Sequence, residues 1–367
     1  MHIAIDARII SSSTGRYVEA LLDNLEKIDA TNSYTVMVLK KDAKFWKPSN
    51  KNFSVAIADF PNYSIAEQTK YKQFLDKLHP DLVHFCMPQQ PLLYRGKRVT
   101  TVHDLTLVHY DNIDMNPLAY KVRKQIFINL LKNVIRRSKV IFTPTEYVRQ
   151  DVIKFSSEKY ASKINTTLLG WDVVANKTEV VPELKDKDFV FFVGNAFPYK
   201  NVGTIVRAFA QLYQKYPNLY LGLAGKKDFF YEQIQKEVDK LGIGDRVYFL
   251  GFISEGQKRW MFQHGKAYII ASLSEGFHIP GLEAMSEDCP VISSDATCLP
   301  EVYQKAAYYF NPHKTEELVE AIDHLLTDEN LRKKLITAGR KQLATFSWER
   351  AAKQTHAGYM TALNLDK

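Results

Sequence analysis

Two carboxylates eight residues apart, Glu275 and Glu283, bracket the run EGFHIPGLE. The residues just before them, 268–271, are an apolar run rich in β-formers and suit a central parallel strand. Pro280 fits the first turn of a helix, where its missing N–H costs nothing, and Gly281 keeps the backbone approachable. A strand, loop and helix in that order put Glu275 on the loop and Glu283 just inside the helix. At the carboxyl end of the strand both can face one crevice, with the N–H groups of the helix start directed at an entering anion. A second stretch has related chemistry. The apolar strand 189–193 runs into Gly194 and Asn195, then Lys200, then a helix from 202. A glycine-containing loop, a lysine and a helix N-terminus make an anion site in which the ammonium adds a point charge to the amides. For the run from Glu275 to Glu283 the plain alternative is a surface loop followed by an acidic helix.

Taken with the LEAM and CPVISSD that follow, the run from Glu275 to Glu283 resembles the E-x7-E signature of retaining, nucleotide-sugar-dependent glycosyltransferases of the GT-B fold, the group-1 family related to glycogen synthase. The resemblance implies that Glu275 contacts donor-sugar hydroxyls and Glu283 the nucleotide ribose. The diphosphate would lie on the backbone between them, at Gly276, Phe277, His278, Gly281 and Leu282. The segment from Gly194 to Asn201 is similar to the family's G-x-x-x-P-R-K-N, whose lysine, here Lys200, neutralises the leaving diphosphate. Asn195 and Tyr199 stand where the family often has basic residues, which leaves one side-chain cation where two are frequent. Leu250, Gly251 and Phe252 resemble the segment that stacks on the base. Gly15, in the loop SSSTG before Arg16 and Tyr17, matches a glycine loop near the donor phosphates or acceptor. A simple strand–helix connection reads equally well there.

The strand-like run 97–105 ends in His103 and Asp104. A histidine so placed is an orienting hydrogen-bond group or proton acceptor, or else a satisfied structural contact. The resemblance adds that many members carry a cleft histidine here, touching sugar or acceptor. Catalysis is therefore expected to rest on His103, Lys200 and Glu275. No metal and no cofactor is expected, because cations and amides carry the leaving-group charge; Asp111 and Asp114 read as loop acids. The donor, GDP- or UDP-linked, is a substrate, and overall likeness leans toward mannose from GDP. The acceptor is expected to be a saccharide or a lipid-linked saccharide. Two further readings stay open: a nucleotide-sugar epimerase, and a weakened donor-binding or scaffold protein suggested by Asn195 and Tyr199. A glycosidase also uses paired carboxylates, but gives a phosphate-binding lysine nothing to do.

The elements that must position these groups follow from pattern. A chain of 367 residues with 46% hydrophobic and 25% charged residues fits about two globular domains. Short β-rich runs alternate with amphipathic helices in both halves, which predicts α/β architecture. The resemblance makes this GT-B, two Rossmann-like domains facing across a deep cleft. Residues 1–172 form the acceptor-side domain, joined by a terminal helix 348–367 that crosses back, and 186–347 form the nucleotide-sugar domain. No apolar run reaches membrane-spanning length and no signal peptide is read. Three cysteines without metal spacing point to a reducing cytoplasm.

The net charge of +8 favours anionic partners. Nucleic acid ranks last among them, since no RNP or zinc-finger pattern is present. Residues 117–139 combine an apolar stripe (Leu118, Val122, Ile126, Leu130, Val134) with Lys121, Arg123, Lys124, Lys132, Arg136 and Arg137. Such a stripe packs on a sheet and leaves the charges in solvent, or it lies on an anionic membrane. The second reading places the protein at the inner face of a membrane, as a peripheral protein.

Overall fold

A computed structural model describes residues 1–12, 14–111 and 116–364. Asp114 and Ser13, both discussed above, lie outside the described residues. The described chain divides into two compact units, one of residues 1–108, 116–170 and 347–364, the other of 109–111 and 171–346.

The first unit begins with β1 (His2–Asp6), α1 (Gly15–Ile28), β2 (Ser33–Val38) and β3 (Phe53–Ile57), then α2 (Lys72–Leu78), β4 (Leu82–Phe85) and β5 (Arg98–Thr101). After α3 (Thr106–His109) come α4 (Pro117–Arg137), β6 (Val140–Thr143), α5 (Glu146–Ser156) and β7 (Ile164–Thr166). The seven strands pair in parallel in the order β3-β2-β1-β4-β5-β6-β7. β4 and β6 are buried at every position, as a sheet covered on both faces requires. Directly before α2, Glu67–Tyr71 winds as a π-helix. That segment carries Glu67 to the buried Arg8 guanidinium, 2.9 Å away, which also pairs with Asp6 at 2.8 Å.

The second unit comprises β8 (Asp188–Val193), α6 (Val202–Leu212), β9 (Leu219–Ala224), α7 (Phe229–Leu241), β10 (Val247–Gly251) and α8 (Glu255–His264). It continues with β11 (Ala267–Ile270), α9 (Ile279–Ser286), β12 (Val291–Ser294), α10 (Leu299–Tyr303), β13 (Ala307–Phe310), α11 (Thr315–Thr327) and α12 (Glu329–Leu343). Its six strands, again parallel, run β10-β9-β8-β11-β12-β13. One core, from Val190 through Phe209 and Leu223 to Ile322, fills the space between this sheet and α6, α7 and α11. Both sheets are thus doubly wound α/β, as the sequence predicts.

The terminal helix α13 (Trp348–Asn364) belongs to the first unit and lies against α1. Its Tyr359 hydroxyl is 2.7 Å from Nδ1 of His84 on β4, and His84 Nε2 is 2.9 Å from the Thr101 hydroxyl. Burial drives the His84 pKa down to about 3, so the ring is neutral and needs both partners. Tyr359→Phe leaves one buried ring nitrogen without its partner and is expected to lower stability by about 1–2 kcal/mol. Denaturant unfolding of wild type and variant checks this, and equal midpoints would contradict the role given to Tyr359.

Candidate active site

In the second sheet the chain reverses direction of travel between β8 and β11: β9 and β10 build outward on one side, β12 and β13 on the other. The loops leaving β8 and β11 therefore diverge from neighbouring strand ends and open a crevice at the carboxyl edge. Lys200 arrives on the first loop and Glu275 on the second. Lys200 Nζ lies 2.6 Å from Glu275 Oε1, with both side chains largely buried. The two loops are also joined by their backbones, through a 2.7 Å bond from Leu273 N–H to the Tyr199 carbonyl.

Glu275 is held from all sides. The Ser272 hydroxyl donates to Oε1 at 2.6 Å, the Thr297 hydroxyl accepts from the Glu275 amide at 3.1 Å, and the Cys298 thiol donates to its carbonyl at 3.2 Å. These carboxylate bonds fall on Oε1, so Oε2 keeps its acceptor capacity for a ligand. Burial alone would raise the Glu275 carboxyl. The Lys200 ammonium, His278, and the bonds from Lys200 and Ser272 outweigh it and hold the group below its ordinary value. The ammonium has three protons and spends one on Glu275. Tyr199, where a second cation is common in the resembling family, places its ring 5.3 Å from Lys200 Nζ.

α9 starts at this crevice, its first residue after the left-handed His278 (φ 71°). Tyr303, fully buried, fixes that backbone: its hydroxyl donates to the His278 carbonyl at 2.7 Å and lies 2.8 Å from Nδ1. The hydroxyl's single proton goes to the carbonyl, so Nδ1 carries the ring proton and Nε2 is the acceptor. Burial depresses the His278 pKa to about 4, against an opposing pull from Glu275. A left-handed non-glycine residue costs on the order of 1–2 kcal/mol, and two hydrogen bonds of about 1 kcal/mol each offset it. Gly281 is required by the same tyrosine, since a β-carbon there would clash with its hydroxyl.

Other sequence-derived candidates fall into distinct roles. Phe277 and Leu282 are buried, Phe277 edge-on to Phe346, so only their backbones are available to a ligand. Gly194 approaches Gly225 so closely that a β-carbon on Gly225 would strike the Gly194 carbonyl. Asn195 turns its side chain to the Phe197 amide. Gly251 sits at φ 69°, and the following Phe252 is 90% exposed, a bare aromatic ring just past the end of β10. Glu283 lies deeper than the sequence suggests: it is 2% exposed and its Oε2 is 3.0 Å from Lys258 Nζ on α8.

In the first unit His103 follows β5, and its Nε2 is 2.9 Å from the Cys86 carbonyl, which fixes the proton there and leaves Nδ1 as acceptor. Burial lowers its pKa, with the carbonyl bond and Asp104 opposing. Asp104 accepts from the Thr106 amide at the start of α3. Gly15 is pressed against the Ile10 carbonyl, a packing reason for glycine in that loop. Among the described residues no cluster of three or more histidine, cysteine or acidic side chains could hold a metal ion.

Sequence reasoning does not find Ser272, Thr297, Cys298, Tyr303 or Lys258. Ser272 has a local signal, lying three residues before Glu275 in the same loop. The others reach the site from separate elements and leave none.

A depressed Glu275 carboxyl stabilises the fold above its unfolded pKa, and that contribution is lost as pH falls through the folded value. In Lys200→Met burial prevails and the carboxyl rises above its ordinary value. The stability gap between the two proteins should be small near about pH 4 and widen toward about pH 7. Thermal melts across that range measure it; a gap independent of pH would contradict the pairing.

Both halves of the chain resemble known glycosyltransferases. Residues 174–342 match the family "Glycosyl transferases group 1" and residues 16–162 match "Glycosyltransferase Family 4". The serotype-specific mannosyltransferase WbdA of Escherichia coli is 26% identical over 270 residues, covering 68% of this chain and 33% of that protein. The chain thus spans about a third of the length of the first curated relatives it matches. The O-antigen chain mannosyltransferase B of E. coli is 26% identical over 275 residues, 72% of this chain and 70% of that protein. Among solved structures, Anabaena HepE in complex with UDP and glucose superposes with a TM-score of 0.73 at 17% identity, over 98% of this chain and all of that one, a likeness of fold. The two glycosyltransferase family matches lie one on each half of the chain, and its two parallel α/β sheets give it the GT-B fold.

Proposed function

We propose that this chain is a retaining glycosyltransferase that moves a hexose from a nucleoside-diphosphate sugar to a saccharide or lipid-linked acceptor without a metal ion. The observation that carries this reading is the 2.6 Å Lys200–Glu275 pair, set where β8 and β11 diverge and beside the start of α9. The bond from the anomeric carbon to the distal phosphate oxygen breaks, and its electron pair goes to that oxygen. Lys200 and the α9 amides stabilise the growing charge in a preorganised way. Glu275 Oε2 and the neutral His278 Nε2 accept hydrogen bonds from sugar hydroxyls. Glu283, its carboxylate steadied by Lys258, anchors the ribose, and Phe252 stacks on the base. His103 positions sugar or acceptor; the acceptor hydroxyl oxygen bonds the anomeric carbon on the face the diphosphate leaves, and its proton departs with the diphosphate.

The names of the relatives support mannose as the transferred sugar, and a GDP carrier is part of the same proposal. HepE, crystallised with UDP, keeps UDP in the comparison. Work in the cytoplasm, at the inner face of a membrane, belongs to the same proposal.

Calorimetry with GDP, UDP and ADP in chelator should find one nucleotide binding at micromolar Kd, weakened about tenfold or more in Glu283→Ala. Lys200→Ala should lower kcat by about 100-fold or more while nucleotide Kd changes only a few-fold. Equal losses in both would remove leaving-group stabilisation from Lys200, and no nucleotide binding at all would sink the transferase reading.

A further inference from the structure

The apolar stripe of α4 does not stay on one side of the helix. Residues four apart turn through 400°, so each step advances the stripe by about 40°. From Leu118 to Val134 it swings about 160°, from solvent to core. Leu130 and Val134 are buried, with Leu131 and Ile135 in the cluster shared with β6 and α5. Leu118, Val122 and Ile126 are instead 72%, 54% and 61% exposed. The reading of the stripe as a sheet-packing face therefore holds for its second half and fails for its first.

We propose that the first turns of α4 dock this protein on an anionic lipid bilayer. This deepens the membrane-side location that rests on the proposed function, and it names the partner surface. Three aliphatic side chains over about 12 Å of helix form one outward ridge. Lys121 and Arg123, each next to Val122 in sequence, project about 100° to either side of it. The whole helix carries six Lys and Arg residues and no Asp or Glu.

That charge pattern decides among occupants. A second copy of the chain would set two acid-free cationic helices face to face, and like charges repel. A nucleic acid would satisfy the cations but place phosphates against the aliphatic ridge, which gains nothing there. An anionic bilayer satisfies both: the ridge enters the boundary between headgroups and acyl chains, while the flanking cations reach lipid phosphates. Each such cation contributes on the order of a fivefold gain in binding.

Co-sedimentation of the full chain with phosphatidylcholine vesicles, with and without about 30 mol% phosphatidylglycerol, tests this. Binding should appear on the anionic vesicles and be about tenfold or more weaker on the neutral ones. Leu118→Ser/Val122→Ser/Ile126→Ser should lose about tenfold or more, with its melting curve and nucleotide binding unchanged, because these side chains are exposed. Lys121→Ala/Arg123→Ala should weaken binding and flatten its salt dependence. Failure of the wild type to bind anionic vesicles would overturn the proposal, as would a triple variant that binds like wild type. A dimer in sedimentation velocity that the triple variant abolishes would also overturn it and give the face to a second copy. Because vesicle binding is read without turnover, its loss leaves the transferase reading standing, and loss of nucleotide binding leaves the docking standing.

Discussion

The ion pair between Lys200 and Glu275 depends on a topological fact: strand order in the second sheet reverses between β8 and β11. There the loops of two neighbouring strands part at the carboxyl edge, so side chains from both can meet above the sheet. The pairing also depends on burial. An ammonium and a carboxylate taken this far out of water need further partners. The Ser272 hydroxyl provides one to the Glu275 carboxylate, while the Thr297 hydroxyl and the Cys298 thiol fix the Glu275 backbone. A carboxylate kept ionised by fixed neighbours is ready to accept hydrogen bonds from hydroxyls at once. A lysine with protons to spare is ready to meet a phosphate.

The helix start beside this pair is shaped by packing rather than by propensity. His278 takes a left-handed conformation that most residues avoid, Tyr303 binds it at both carbonyl and ring, and Gly281 leaves room for the tyrosine. One buried side chain thereby sets the direction of the α9 amides and the tautomer of a histidine at the site. The cost of the local strain and the gain from the two bonds are of similar size, about 2 kcal/mol. Small changes at residue 303 should therefore be felt at the site.

The sequence makes the central strands plain, because buried parallel strands such as FVFF in β8 and VIFT in β6 are nearly continuous apolar runs. Edge strands are less legible: β7 has three residues, INT, and mixed polarity, and β13 follows a helix with no clear turn signal. Lys200, Glu275 and Glu283 stand out because their chemistry is written in local motifs. Their supports do not, since Tyr303 and Thr297 act across more than twenty residues and Lys258 reaches Glu283 from another helix. The stripe on α4 misleads for a geometric reason. Spacing by four looks like one face in a line of letters but winds around a 3.6-residue helix, so its first half ends in solvent.

The most direct test of the account is a crystal structure of this protein with its nucleoside diphosphate. The distal phosphate is expected within hydrogen-bond distance of Lys200 Nζ and of the backbone amides at the start of α9, with the base over Phe252. A diphosphate bound away from Lys200, with the Lys200–Glu275 pair untouched, would contradict it.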